Sequence, residues 1–102
     1  MNAHTPGPWT VKFSGTGNAH IYGLDHKNDR IAGVMLRPTV TNNTTERDAN
    51  ARLIAAAPDL LSIVKRWVAL DGGAWNVERF ANERARLLEE TRAAIARAEG
   101  RP

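Results

Sequence analysis

Asn50-Ala51-Arg52-Leu53-Ile54-Ala55-Ala56-Ala57-Pro58-Asp59-Leu60-Leu61 divides this chain of 102 residues into a β half and an α half. Alanine and leucine favour helix, and Leu53, Ala57, Leu60 or Leu61, Val64 and Trp67 or Val68 recur at helical spacing through Leu70. Pro58 interrupts that run. It has no N–H and disfavours helical geometry at Ala57, so the segment is either kinked or split, with Pro58 in the first position of a second helix. The split is favoured because Asp59 then lies in a first turn, near the positive end of the helix dipole. Upstream, Thr44 or Thr45 supplies a cap, and Glu46 and Asp48 an acidic first turn. Downstream, Asp71-Gly72-Gly73 ends the unit and Asn76 caps a final helix from Val77 to about Ala98. Val77, Phe80, Leu87, Leu88, Thr91, Ile95 and Ala98 are expected toward the core, as are Leu53, Ile54 and Trp67. Trp75 is expected to close over the helical turn as a lid.

The residues before this stretch read as strands. Trp9, Val11 and Phe13 alternate with Thr10, Lys12 and Ser14, behind two prolines that keep the chain extended. Ser14 to Asn18 is a glycine-containing turn, Ala19 to Leu24 a second strand, and Asp25 to Asp29 a polar loop. Arg30 to Leu36 is a third strand with Ile31 and Val34 buried, where Gly33 marks a bulge or a close backbone approach. The expected architecture is α+β in a single domain. A three-stranded antiparallel meander over 1–36 leads through a connector, 37–45, to an antiparallel helical pair over 46–99. The connector reads equally as a linker, a short strand around Thr39-Val40-Thr41 or a binding loop. A sheet this small leaves edges and a face to cover, so a homodimer or higher homo-oligomer is expected.

Composition narrows the chemistry. The chain has no cysteine, which excludes disulfides, thiol catalysis and thiolate metal sites. Met1-Asn2-Ala3-His4 does not begin a signal peptide, and no apolar run is long enough to span a membrane. The net charge of +3 is spread out: residues 46–75 cancel, as do 76–99. Binding to DNA requires clustered cations, so nucleic acid is not an expected partner.

No catalytic template fits, and an enzyme is not expected. His20 and His26 flank a hairpin with Asp25 and Asp29, a conceivable metal site whose plainer reading is two solvated histidines; neither metal nor cofactor is expected. Gly15-Thr16-Gly17 has no following Lys-Ser/Thr and is a turn. The candidates for ligand binding are Trp9, Tyr22, Arg37, Asn50 and Arg52. Trp9 either anchors the N-terminus to the core or offers a stacking platform. Asn50 and Arg52 either tie the helix to the sheet or recognise an anion, for which the arginine fork is suited.

His4-Thr5-Pro6-Gly7-Pro8-Trp9 and Asn50 to Leu61 together resemble the corresponding strings of a group of small tailed-phage and prophage proteins. The resemblance covers these two segments closely and the intervening strands in pattern only. It implies an accessory protein of a mobile element, at work in a bacterial cytoplasm, and carries no catalytic signature. Proteins of such company often act against host defence. The leading expectation is therefore sequestration of a host immune signalling nucleotide. The alternatives are an inhibitor binding a host nuclease or CRISPR complex, and a DNA-binding phage regulator.

Overall fold

The computed structural model describes residues 3–14, 17–23, 30–36, 44–72 and 76–100. Strands β1 (Trp9–Lys12), β2 (Ala19–Gly23) and β3 (Arg30–Val34) precede helices α1 (Thr44–Ala55), α2 (Ala57–Gly72) and α3 (Val77–Ala98). The strands pair antiparallel in the order β1-β2-β3, so the expected meander and the α+β class are both present. The connector residues 37–43, Trp75, His26, Asp25 and Asp29 lie outside the described residues, and so do the expectations placed on them.

Strand alternation decides which side chains reach the core. Trp9 is registered with Gly23 and Val11 with Ile21, which puts them on the face of Ala19. Helix α1 covers that face: Ala51 packs with Ala19, Ile21 and Val34, while Trp9, Val11, Ile31 and Ala32 close the edges. The other face carries Thr10, Lys12, His20, Tyr22 and Arg30. Ile21 faces Ala32 but Tyr22 faces Arg30, so Ile31 is the extra residue of a bulge. Gly33 is not the bulge. It is exposed, and a Cβ there would meet nothing nearer than His20 Nδ1 at 3.8 Å.

The break between α1 and α2 follows from Pro58. It has no N–H to offer the Ile54 carbonyl, so α1 stops at Ala55 and the Ala56 carbonyl instead accepts from Leu60 N–H (3.0 Å). Pro58 is then the second residue of α2, one place later than expected. The N-terminal arm lies directly on this corner: a Cβ at Gly7 would sit 2.8 Å from Pro58 Cβ. Gly7→Ala is therefore expected to lower stability by about 1–2 kcal/mol in urea unfolding. Gly72→Ala, with open space around it, is the control and should change little.

Helices α2 and α3 run antiparallel, joined through Trp67 Nε1–H to Thr91 Oγ1 (3.0 Å), whose own hydroxyl donates to the Leu87 carbonyl (2.7 Å). Ile63, Leu70, Leu87 and Ala94 form their core, with Leu60, Trp67 and Phe80 at its margin. Asn76 caps α3 as expected, its Oδ1 accepting from Arg79 N–H (3.2 Å).

Four residues expected inside are exposed: Leu53, Ile54, Val77 and Ile95. Each lies on a helical face that no described element covers. A mean apolar stripe was legible, but α2 and α3 are apolar over a wider arc than their mutual contact uses. No helix among the described residues is long and apolar enough to cross a membrane.

Candidate functional site

The arm before β1 is held by one carbonyl. Thr5 O accepts from Trp9 Nε1–H (2.9 Å) and lies 2.9 Å from His4 Nδ1. A carbonyl can only accept, so Nδ1 is the donor in that contact. His4 Nε2 is buried with no hydrogen-bond partner among the described residues. The His4 ring meets Trp9 edge-on, at a centroid distance of 6.3 Å. Both ends of Trp9 are thus used: its N–H fixes the arm and its ring packs against the sheet core.

With Gly7 seated on Pro58, the arm and α2 enclose a cleft of about 530 Å³. Pro6, Pro8, Pro58 and Ala69 give it apolar walls. His4, Ser62, Lys65 and Arg66 bring polar groups to it, and Asp59 a carboxylate. Helical spacing places Pro58, Ser62, Lys65 and Ala69 along one side of α2, turned away from α3. Arg66 is paired with Glu90, and Asp59 more loosely with Arg97 at 3.8 Å. Both pairs are about half exposed, so each stabilises the fold by only a few tenths of a kcal/mol.

The candidates named from sequence fall in different places. Trp9 and Arg52 share a shallow cleft of about 170 Å³ with Arg97 and Asp59. Arg52 is engaged structurally there: its guanidinium carbon lies 5.3 Å over the Phe13 ring, and its side chain covers Gly100, just beyond the end of α3. Gly100 has φ +71°, and a Cβ at that position would come within 2.8 Å of Arg52 Cδ. A cation against a helix C-terminus is favourable. Tyr22 is on the opposite face of the sheet from Trp9, because the two differ by one step of strand alternation in register. Asn50 is exposed on α1, and Arg37 lies outside the described residues.

Sequence reading missed His4, Ser62, Lys65 and Arg66 as a group. The available signal was that two proline-containing segments distant in sequence both needed a partner surface. Among the described residues no group of three His, Asp, Glu or Cys is placed to hold a metal ion.

A small α+β protein with an open, mostly apolar cleft carrying a few polar groups, between an N-terminal arm and a helix, is the class this geometry defines. A protein-family model described as Salmonella phage P22 protein Y8K6 matches residues 1–102, and the chain belongs to that family. The family's description gives a phage origin and no activity, which agrees with the resemblance read from the two segments. No curated protein and no solved structure matches the chain significantly.

Proposed function

We propose that this phage protein is a non-enzymatic accessory protein that binds and neutralises a host factor, holding a nucleotide-type immune signal in the cleft between the arm and α2. The observation that carries this reading is the lining of that cleft, in which Lys65 and Arg66 share about 530 Å³ with three prolines. Small-ligand sites typically occupy about 300–1,000 Å³, largely apolar with a few convergent polar groups. Phosphate is matched by the Arg66 fork and the Lys65 ammonium. The proline rings offer flat apolar walls to a base. The Arg66–Glu90 pair is exposed enough for a phosphate to compete for the guanidinium. Sequestration needs tight holding without turnover, and it places the protein at work in the host cytoplasm.

Isothermal titration against a panel of cyclic mono- and dinucleotides tests this directly. One ligand class should give heat with about one site per chain, and Lys65→Ala should weaken it about tenfold or more. No heat with any member of the panel, at folded protein, overturns the reading. The protein-binding inhibitor remains the second reading, favoured by the apolar side chains exposed on α2 and α3.

A further inference from the structure

The cleft between the arm and α2 has two electrostatic ends. Lys65 and Arg66 bring cations to it, and Asp59 brings the one carboxylate among the described residues that line it. Rising about 1.5 Å per residue, α2 separates Asp59 from Arg66 by about 10 Å along its axis, and at about 100° per residue the two point within roughly 20° of each other. Ser62 stands between them, close to one turn on from Asp59. A carboxylate repels phosphate, so a nucleotide whose phosphate is held by Lys65 and Arg66 turns its base toward Asp59. The separation along α2 suits an extended nucleotide, measured from the edge of its base to its phosphate.

The carboxylate then decides which base fits. An ionised carboxylate only accepts hydrogen bonds. Guanine presents two adjacent donors on its pairing edge, the ring N1–H and the exocyclic amino group. Adenine and cytosine present one amino donor beside an unprotonated ring nitrogen, and uracil or thymine a single N–H between two carbonyls. Of the common bases only guanine donates to both oxygens of one carboxylate, and charge-assisted bidentate pairs are the strong ones. Against any other base, one carboxylate oxygen meets an acceptor and is left unsatisfied. Asp59 is available for such a pair: Arg97 NH2 lies 3.8 Å from its Oδ2, too far for a hydrogen bond, so both oxygens keep acceptor capacity. The Ser62 hydroxyl, next in line, is a donor suited to the guanine carbonyl that flanks N1–H. Given the nucleotide reading of the cleft, on which this rests, we infer that the ligand carries guanine. Asp59 accepts from N1–H and the amino group, while Lys65 and Arg66 hold phosphate.

Isothermal titration of the full chain reads the base preference, with cyclic GMP, cyclic AMP and cyclic IMP as one set and cyclic di-GMP and cyclic di-AMP as another. In whichever set gives heat, the guanine ligand should bind about tenfold or more tighter than its adenine counterpart. Cyclic IMP lacks only the amino group of cyclic GMP and should bind about tenfold more weakly than it. Asp59→Asn should abolish the guanine preference with helical circular dichroism unchanged, because the new amide NH2 faces the base amino group. In cyclic XMP a carbonyl replaces that amino group, so it should bind Asp59→Asn more tightly than it binds the wild type. Loss of the Asp59–Arg97 pair alone would not produce that exchange. Equal affinity for guanine and adenine ligands, or a guanine preference that survives Asp59→Asn, overturns the assignment of guanine and leaves the cleft a nucleotide site. Heat from no ligand of either set overturns both.

Discussion

Arg47→Ala should lower the unfolding free energy by about 3 kcal/mol, a larger loss than any surface change in this chain. Arg47 is only 3% exposed, the one buried charged residue among those described. Its Nε and NH2 both donate to Asp48 Oδ1, at 2.9 and 2.7 Å, and its NH1 donates to the Gly17 carbonyl with Ser14 Oγ at 3.5 Å. Ser14 Oγ in turn accepts from Gly17 N–H (3.1 Å) and donates to the Asn18 carbonyl (3.2 Å). The guanidinium therefore pins the start of α1 to the turn between β1 and β2. Its removal strands a mostly buried carboxylate and a carbonyl together, which is costlier than the pair itself is favourable. Thermal melting should show a fall in Tm of more than about 10 °C. A fall of less than 3 °C, within ordinary surface variation, would mean that the turn and helix are held by packing alone.

Ile21→Ala should cost a similar amount, about 3–4 kcal/mol, by a different route. Ile21 is the largest side chain among the described residues that is fully buried, at the centre of the sheet and under Ala51. The cavity left behind cannot collapse easily, because Ala19 and Ala51 beside it are already small. Ile21→Val, which removes one methylene, should cost about 1 kcal/mol. Urea unfolding of the pair of variants reads the ratio. Equal losses for both would show that the site relaxes around the missing volume and is not tightly packed.

The two losses differ in how far sequence anticipates them. The strand pattern around Ile21 was plain, since alternation fixes a face once one residue is placed. Arg47 looked like one of many helix charges, because burial of a charge is decided by a turn in another part of the chain. Helix ends were also legible: Pro58 dictates the break and Asn76 the cap through local chemistry. The extent of helix covering was not. Leu53, Val77 and Ile95 are apolar at helical spacing although all three are exposed.

The same limit applies to the cleft. Trp9 stood out in the sequence, and the structure uses it to fix the arm that forms one wall. Lys65 and Arg66 are two ordinary cations until the arm crosses α2 and Gly7 closes on Pro58. Tyr22 and Asn50 are chemically suited to a ligand but lie away from these groups, on the outer sheet face and on exposed α1.

Backbone amide shifts recorded while the cyclic nucleotide panel is titrated into isotopically labelled protein locate any bound ligand by residue. Saturating shifts centred on His4, Ser62, Lys65 and Arg66, with those of Tyr22 and Asn50 unmoved, are the predicted result. Shifts centred on the outer sheet face or on α1 instead, or none with any nucleotide, would contradict the account.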